Sequence, residues 1–458
     1  MRIRMTMRPV FAALAALAAL AAVGTTGAAD GAIGANEDKL ASVGSGELAE
    51  ARASWWGFNP EDSTDQLQKA FDSGVKRLVI DKMASDWVAR PLNVRSDMEI
   101  VFEQGARIMA KRGEFRRGSD SLLNLDRSRN VTIRGGELRM WHDDYFKPPY
   151  VRAEWRHAIN LSAAKNVLIE DMVLADSGGD GVYVGATPDD LCEDIVLRRV
   201  VSDGNGRQGI SVISVDGLEI DDCVFKNTGG AMPMAGIDLE PNSPREKLKG
   251  IRIRNSLFEN NTCEGISFYL PMLDETTDPL DVEIENCVVR HNGGNGFGFT
   301  TPENGKKNLK GRVVVRNCRF EENGGGIMID SKGIGGNALE FHNVQLVNKV
   351  AANPNAGGGR PSIQIFSGGN DGEPAGGIVF DNVEIIAPVE RMAFNYGDTS
   401  FIGVGVKNVT GRITVRREVG GPAVETIDLN DEYLAKNYPD INPRKLAPVA
   451  TNPRDFVP

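Results

Sequence analysis

A repeated unit of short alternating strands runs through most of this chain and constrains its fold more than any other feature. The unit is seen in NVTIRGGEL, NVLIEDMVL, GLEIDDCVF, DVEIENCVV and RVVVRNCRF. Its inward residue recurs at intervals of 23 to 39 residues, at Gly136, Met172, Val200, Cys223, Ser256, Cys287, Cys318, Val344, Val383 and Val409. One unit cannot bury its apolar face alone, whereas stacked units bury a continuous core. The repeat therefore predicts an all-β fold, a right-handed single-stranded parallel β-helix.

The segments that flank the repeat predict the domain organisation. Ser63 and Gln66 have the spacing of a helix-capping box, and Leu67 and Phe71 share an apolar face. We expect a short helix over 63–73 that caps the open N-terminal end of the β-helix. The expected boundaries are 1–29 for a signal peptide, 30–53 for a flexible leader, 54–420 for the β-helix domain and 421–458 for an extended tail packed on the helix.

The N-terminus has the pattern of a secretory signal peptide. Arg2, Arg4 and Arg8 precede an apolar run from Val10 to Val23, and small residues follow. This pattern predicts export to the periplasm or the extracellular space, with no membrane span after cleavage. The 52 Lys and Arg residues against 63 Asp and Glu residues give a formal net charge of −11, which argues against nucleic acid as a partner.

Charged residues interrupt the repeat between Asp176 and Glu264. Superposing the coils on their apolar residues gives one column of His157, Asp180, Gln208, Ala235, Glu264 and Asn295. A second column, three residues further on, contains Asn160, Tyr183, Ser211, Asp238 and Ser267. Glu240 points to the same face as Asp238, because side chains alternate along a strand. The predicted catalytic residues are Asp180, Asp238, Glu240, Glu264, His157 and Arg207.

These residues are compatible with two kinds of carbohydrate chemistry. Glycosidic hydrolysis needs a protonated carboxylic acid and a carboxylate. Asp180 and Asp238 are two coils apart, ~9–10 Å along the axis at the usual strand spacing, which approaches the separation of inverting hydrolases. The alternative is a lyase or C5-epimerase for a uronate polymer, with Arg207 or His157 as the base. In that case Ca²⁺ is a candidate cofactor, held by Asp238, Glu240 and Glu264.

The segment MWHDDYFKPPYVRAEWRH interrupts the repeat and is rich in aromatic residues. A loop of this kind beside the charged coils is suited to stacking on sugar rings. The predicted substrate-binding residues are Trp141, His142, Tyr145, Tyr150, Trp155, Arg156, Tyr183, Gln208 and Tyr269. A recurring asparagine after the second strand of each unit, at Asn227, Asn260, Asn292 and Asn323, predicts a structural hydrogen-bond ladder.

Several motifs resemble the pectin-lyase-like β-helix superfamily. They are the DST-x-x-LQ-x-A helix, the IVFE-x-GA strand and the coils with Gly and Asn turns, and together they cover about residues 54–420. The Gly-His-Gly and Arg-Ile-Lys motifs of polygalacturonases are absent, so no single family is assigned. The resemblance implies a secreted enzyme acting on a polysaccharide or oligosaccharide. We expect a carboxylate-dependent glycoside hydrolase first, the lyase or epimerase second, and a non-catalytic carbohydrate-binding β-helix third.

Overall fold

The computed structural model describes residues 31–301, 308–348, 360–367, 374–388, 391–398, 405–417 and 424–437. The expected signal peptide at 1–29 and most of the expected tail lie outside these ranges. Within them, no helix is both long enough and apolar enough to span a bilayer.

Short strands make up most of the described chain. The first strands are β1 (Glu50–Arg52), β2 (Arg77–Ile80), β3 (Trp87–Ala89), β4 (Leu92–Asn93), β5 (Met98–Phe102), β6 (Arg107–Ala110), β7 (Leu123–Asp126), β8 (Arg129–Arg134) and β9 (Glu137–Arg139). The central strands are β10 (Ile159–Ser162), β11 (Lys165–Glu170), β12 (Val173–Ala175), β13 (Val182–Gly185), β14 (Cys192–Arg198), β15 (Val201–Asp203), β16 (Ile210–Val212), β17 (Val215–Asp221), β18 (Val224–Lys226), β19 (Ile237–Leu239), β20 (Leu248–Arg254), β21 (Leu257–Glu259), β22 (Ile266–Tyr269), β23 (Leu280–Glu285) and β24 (Val288–Arg290).

The remaining strands and the helices complete the element order. The last strands are β25 (Asn295–Thr300), β26 (Gly311–Arg316), β27 (Arg319–Glu321), β28 (Gly325–Asp330), β29 (Ala338–His342), β30 (Gln345–Val347), β31 (Ile363–Ser367), β32 (Ala375–Ala387), β33 (Phe394–Asp398), β34 (Val406–Arg417) and β35 (Val424–Leu429). The helices are α1 (Glu37–Gly44), α2 (Thr64–Asp72), α3 (His142–Tyr145), α4 (Asp431–Asn437) and a 3₁₀ turn at Ala53–Trp56.

Most coils contribute one strand to each of three faces. The first face stacks strands such as β8, β11, β14 and β17, and the second stacks β9, β12, β15 and β18. The third sheet runs β4, β7, β10, β13, β16, β19, β22, β25, β28, β31 and β33. Among the described strands the pairings are parallel, except that β35 runs antiparallel to β34. The predicted parallel β-helix is therefore confirmed.

The repeated inward column lies in the core, as its spacing predicts. From Met172 to Val409 its members are buried. The residue just before each of them has a left-handed backbone, with φ between 51° and 57°, and is usually Asn or Asp, as at Asn286 and Asn317. Asn and Asp tolerate this region better than other side chains that carry a Cβ, so they place a sharp turn between the first and second sheets.

The predicted N-terminal helix is present as α2, and it buries Leu67 and Phe71 against the first coils. Its cap differs from the predicted capping box. The Ser63 hydroxyl donates instead to the backbone carbonyl of Asn59 at 2.7 Å, and a carboxylate oxygen of Asp62 accepts from the next helical N–H at 3.1 Å. Asp62 therefore supplies the acceptor that the sequence assigned to Ser63.

Both flanking segments contain regular elements where the sequence suggested a flexible leader and an extended tail. In the leader, α1 forms, and β1 pairs in parallel with β2, with Glu50 opposite Arg77. In the tail, β35 pairs with β34, and α4 buries Leu434. Strand pairing supplies the reason in both cases, because each segment satisfies the backbone hydrogen bonds of a strand at one end of the first sheet.

Candidate active site

The third sheet brings the predicted polar residues onto neighbouring strands. Asn160, Tyr183, Ser211, Asp238 and Ser267 lie opposite one another in the register of β10, β13, β16, β19 and β22. This row is the one predicted from the sequence. Because parallel strands are ~4.8 Å apart, side chains one or two coils apart can meet on this surface.

The turns before these strands form the second predicted column. The backbone N–H after His157 donates to the carbonyl of Asp180 at 3.0 Å, and the N–H after Asp180 donates to the carbonyl of Gln208 at 3.0 Å. The same pattern joins the turn before β19 to Glu264. The column is therefore continuous, and it holds the carboxylate of Asp180 at the lip of β13.

Arg207 lies at the centre of the polar cluster. Its Nη2 donates to Glu240 Oε2 at 2.8 Å, and its Nη1 donates to Ser211 Oγ at 3.1 Å. Nη1 is also 3.7 Å from Asp180 Oδ1, and Nε is 3.6 Å from Glu154 Oε2. One guanidinium, with its side chain 9% exposed, therefore faces three carboxylates from three different coils.

The surroundings of Arg207 keep it protonated. Burial by itself lowers the pKa of the guanidinium, but the negative charges of Asp180, Glu240 and Asp238 outweigh burial and raise the pKa. A guanidinium held in this way cannot accept a proton from substrate. This environment therefore opposes the predicted role of Arg207 as a catalytic base and favours a role as the counter-ion of the cluster.

Asp180 and His157 form a buried contact beneath Arg207. Within the described chain, no group donates a hydrogen bond to either carboxylate oxygen of Asp180. Its Oδ2 lies 3.2 Å from His157 Nδ1, and its backbone N–H donates to the same nitrogen at 3.0 Å. The His157 ring stacks on Tyr183, with ring centroids 4.8 Å apart. Both predicted catalytic side chains are thus shielded from solvent, which favours a supporting role for them, and their part in catalysis stays a prediction.

Asp238 and Glu240 form a carboxyl pair on β19 and the residue that follows it. Asp238 is fully buried, and its Oδ2 accepts from Gln208 Nε2 at 2.7 Å. Burial, then the charge and the hydrogen bond of Glu240, raise the pKa of Asp238 well above its usual value, while Arg207 and Ser267 act in the opposite direction. The burial of Asp238 and the neighbouring charge of Glu240 therefore favour the protonated form of Asp238. Glu240, 24% exposed, reaches solvent.

The carboxylates proposed for Ca²⁺ have separate partners. Glu240 binds Arg207, Asp238 binds Gln208, and Glu264 accepts from Asn295 Nδ2 at 3.2 Å. Among the residues that the structure describes, no group of three or more His, Cys, Asp or Glu side chains is placed to hold a metal ion. The proposed ligand set is therefore not assembled here.

The buried part of the aromatic loop is structural. Arg156 is fully buried, and it donates to the carbonyls of Phe115 at 2.8 Å and Val151 at 2.9 Å. Its guanidinium lies over the rings of Tyr145 and Tyr150, at 5.5 and 5.6 Å. The predicted contact of Arg156 and Tyr145 with substrate is corrected, because both side chains fold the loop onto the helix instead.

Trp141 and His142 are also committed to the loop. The indole N–H of Trp141 donates to the carbonyl of Ala110 at 2.6 Å, and Arg112 lies over its ring at 4.7 Å. His142 packs edge-on against Phe146 at 5.1 Å, and burial lowers its pKa. Both residues are partly buried and support the loop, and the substrate contact predicted for them stays a prediction.

Two of the predicted aromatic residues face solvent. Trp155 is 54% exposed and Tyr269 is 48% exposed. Tyr183 is half-buried against His157, and burial, followed by the charge of Asp180, raises the pKa of its hydroxyl to about 12. The exposed aromatic surface near the polar cluster therefore comes from Trp155 and Tyr269.

The structure adds Glu154 to the site. It belongs to the interrupting loop, and it is 48% exposed while lying 3.6 Å from Arg207 Nε. The sequence marks the loop as unusual, but it does not indicate that this side chain crosses two coils to reach Arg207. Ser211 and Ser267 join the site through the register of the third sheet, a signal that was present in the predicted row.

A cavity of about 590 Å³ lies away from this cluster, at the N-terminal coils. Arg52, Trp55 and Asp81 are among its lining residues. Its one guanidinium is paired with Asp81 and Glu103. The charged residues predicted from the sequence converge on Arg207 and not on this cavity, so the Arg207 cluster is the candidate active site.

Known proteins share this architecture. Residues 151–270 match the family profile described as Right handed beta helix region. This chain is a right-handed parallel β-helix protein. The surface protein and adhesin PfbA of Streptococcus pneumoniae has a TM-score of 0.52 at 11% identity, covering 80% of this chain and 96% of that chain. The Family 28 exopolygalacturonase of Yersinia enterocolitica has a TM-score of 0.52 at 13% identity, covering 79% of this chain and 78% of that chain. The predicted resemblance to the pectin-lyase-like superfamily is confirmed for the fold.

Similarity in sequence reaches two proteins of Bacillus subtilis (strain 168). The uncharacterized protein YclG is 27% identical over 163 residues, and the SPbeta prophage-derived uncharacterized protein YorA is 26% identical over 166 residues. Each match covers 32% of this chain and 28% of the relative. The match with this chain therefore spans less than a third of the length of these relatives.

Proposed function

We propose that this β-helix protein hydrolyses glycosidic bonds in a polysaccharide that lies along the third sheet. The observation that carries the proposal is the placement of buried Asp238 and partly exposed Glu240 beside Arg207, where burial and the charge of Glu240 raise the pKa of Asp238 and favour its protonated form. Glycosidic hydrolysis requires this combination of a protonated carboxyl group and a carboxylate. Arg207 balances the remaining negative charge through its 2.8 Å bond to Glu240.

The roles follow from which carboxyl groups reach solvent. Glu240 passes the proton it shares with Asp238 to the leaving glycosidic oxygen. Glu154, on the same guanidinium, takes a proton from water, and the water oxygen bonds to the anomeric carbon as the glycosidic bond breaks. Asp180 is a positioning residue, because it is buried and lies 3.7 Å from Arg207 Nη1.

The arrangement supports hydrolysis over the lyase or epimerase alternative. Those reactions need a base that removes a proton from the sugar ring. Arg207 stays protonated, and the Nδ1 atom of His157 already accepts a hydrogen bond inside the fold. Neither of the bases expected from the sequence is therefore free for that step.

The test is an assay of the purified protein on a panel of soluble polysaccharides. Reducing ends report hydrolysis, and ultraviolet absorbance of an unsaturated sugar reports a lyase. We expect reducing ends from the wild type and a loss of ~10²–10⁴-fold in Glu240→Gln, the usual contribution of a general acid. The matched control is Glu259→Gln, which removes a comparable Glu–Arg pair on another face, with Arg290 at 2.7 Å. Unsaturated product, or equal rates in both variants, would contradict the proposal.

The N-terminal pattern of the sequence supports an exported enzyme. We expect the substrate to be a cell-surface or environmental polysaccharide, met after export. The check is fractionation of cells that express the full chain, followed by N-terminal sequencing. Retention of the uncleaved protein in the cytoplasm would contradict export without touching the chemistry.

A further inference from the structure

The surface over β16, β19 and β22 has an acidic centre. Its one buried cation, the guanidinium of Arg207, already contacts carboxylates of the protein. Arg207 contacts Glu240 at 2.8 Å, Glu154 at 3.6 Å and Asp180 at 3.7 Å. Three carboxylates against one guanidinium leave a net negative charge, even with Asp238 protonated. A carboxylate or sulfate on a sugar would have to displace one of these partners and would meet the others.

The described arginines at the rim do not change this balance. Arg152 Nη2 donates to the carbonyl of Gly230 at 2.9 Å, which holds it on the loop. Arg245 lies near Glu246, and Arg360 lies near Cys263. Among the described ion pairs, Glu154, Asp180 and Glu240 contact no arginine other than Arg207. Across the described residues the chain also carries more acidic than basic groups, and its formal net charge of −11 repels polyanions at long range.

An aromatic platform adjoins the acidic centre. Leu239 pairs with Phe268, so the next residues along the two strands, Glu240 and Tyr269, are neighbours on adjacent coils, ~4.8 Å apart. Tyr269 points outward from the end of β22 and is 48% exposed. A large exposed aromatic ring beside a carboxyl pair offers a flat apolar face to the C–H face of a pyranose ring.

We propose that this surface binds a polysaccharide without carboxylate or sulfate groups, with one pyranose ring stacked on Tyr269 beside Glu240. The inference deepens the proposed hydrolase function and rests on it only for cleavage, since binding can be measured separately. The inference predicts that this β-helix does not act on uronate polymers, because binding the carboxylates of such a polymer needs unpaired cationic side chains along the groove.

Affinity electrophoresis in native gels tests binding without requiring catalysis. The probes are xyloglucan and glucomannan as uncharged chains, and polygalacturonate and alginate as polyanions. We expect retardation of the wild type by an uncharged chain and none by the polyanions, even at low salt, where attraction to a polyanion would be strongest. Tyr269→Ala should lower the apparent affinity for the uncharged chain at least tenfold, whereas Tyr269→Phe should keep the wild-type affinity.

Charge reversal supplies a second, independent variant. Glu154→Lys should create retardation by polygalacturonate, because it converts the rim beside Arg207 from anionic to cationic. Glu47→Lys, at an exposed position in the N-terminal segment, makes the same change in net charge and should not. Equal retardation in the two variants would mean that overall charge, rather than the site, governs binding.

The outcomes distinguish the two proposals. Retardation by an uncharged chain without reducing ends would overturn hydrolysis and support the binding inference. Cleavage of polygalacturonate or alginate in preference to the uncharged chains would overturn the inference and support hydrolysis. Failure of both uncharged chains to retard the wild type, or retention of binding in Tyr269→Ala, would overturn the inference.

Discussion

Two sets of buried polar side chains follow successive coils of this β-helix, and they differ in how completely they are hydrogen-bonded. In the asparagine ladder, Asn292 Nδ2 donates to the carbonyl of Phe258 at 3.1 Å and to Asn323 Oδ1 at 2.8 Å. Its Oδ1 accepts from the backbone N–H of Asn261 at 3.0 Å and from the Asn261 side chain at 2.8 Å. The same arrangement repeats at Asn323, so each rung supports the next.

The Arg207 cluster is incomplete by comparison. Within the described residues, both carboxylate oxygens of Asp180 and Oδ1 of Asp238 receive no donated hydrogen bond, although both residues are fully buried. Unsatisfied buried polar groups cost free energy and are rare in native folds. The ladder therefore stabilises the scaffold, whereas the cluster keeps unsatisfied carboxylate oxygens at the expense of stability.

The largest expected effect comes from removing Asp238, the residue in the incomplete cluster that shares its proton with the general acid Glu240. Asp238→Asn keeps the shape of the side chain but holds no ionisable proton beside Glu240. We expect hydrolysis to fall by ~10²–10⁴-fold, the range for a general acid, while the free energy of unfolding changes little. Initial rates and urea unfolding measure the two quantities. Asp216→Asn, on the exposed pair with Lys249, is the control, and a fully active Asp238→Asn would show that the proton comes from elsewhere.

The opposite substitution, an asparagine of the ladder replaced by aspartate, should lower stability instead of activity. Asn292→Asp replaces a donor with a buried carboxylate that faces the carbonyl of Phe258 and the Oδ1 of Asn323. An uncompensated buried charge costs about 3–5 kcal/mol in the free energy of unfolding. The rate per folded molecule should remain that of the wild type. Asn260→Asp, at an exposed left-handed turn, should stay within about 0.5 kcal/mol, and a loss of rate without a loss of stability in Asn292→Asp would break the comparison.

The fold could be predicted because its information is periodic. The coils repeat an alternation of buried and exposed side chains, and a left-handed residue, usually Asn or Asp, lies at the same corner of each, so the same pattern occurs many times. The strand row that contains Tyr183 and Asp238 follows from the same alternation, and the structure reproduces it. Long periodic signals average out the weak preference of any single residue.

The site could be predicted only in part, because its residues lie largely in turns, and turns lack the alternation of buried and exposed side chains that strands have. The predicted asparagine ladder included Asn227 and Asn260, yet these have φ of 58° and 56°, and the ladder passes through the residues that follow them, Thr228 and Asn261. Likewise, the sequence placed Arg156 near substrate, whereas the residue turns inward to bind loop carbonyls. A shift of one residue, or the path of one loop, depends on tertiary contacts that no local pattern encodes.

Lys332 is a second buried basic residue, and its environment differs from that of Arg207. Its contribution to stability should therefore depend on pH. Lys332 Nζ donates to the carbonyls of Gly376 at 2.8 Å and Gly333 at 3.2 Å, and no carboxylate among the described residues is paired with it. Burial lowers its pKa from 10.5 to about 7. Between these two pH values the unfolded chain binds more protons than the folded chain, so stability rises with pH.

We expect the wild type to gain up to about 1.4 kcal/mol per pH unit above pH 7 from this group, the value of one pKa unit. Lys332→Met should remove that slope, and the exposed Lys76→Met should retain it. Urea unfolding at closely spaced pH values measures the difference. A slope shared by the wild type and Lys332→Met would mean that Lys332 stays charged in the folded protein.

The smallest expected effect tests how Gln208 holds the acid of the cluster. Its Nε2 donates to Asp238 Oδ2 at 2.7 Å, a bond that is stronger when Asp238 is ionised. Gln208→Met removes this donor, so the pKa of Asp238 should rise further, and the alkaline limb of the kcat/KM profile should move to higher pH. Because Asp238 must be protonated to share its proton with the general acid Glu240, the change should be small at neutral pH and should grow as pH rises. Gln208→Glu, whose carboxylate also lacks the donor when ionised, should shift the alkaline limb in the same direction. An unmoved limb in both variants would show that neither Gln208 nor the Asp238–Glu240 pair controls the proton used in hydrolysis.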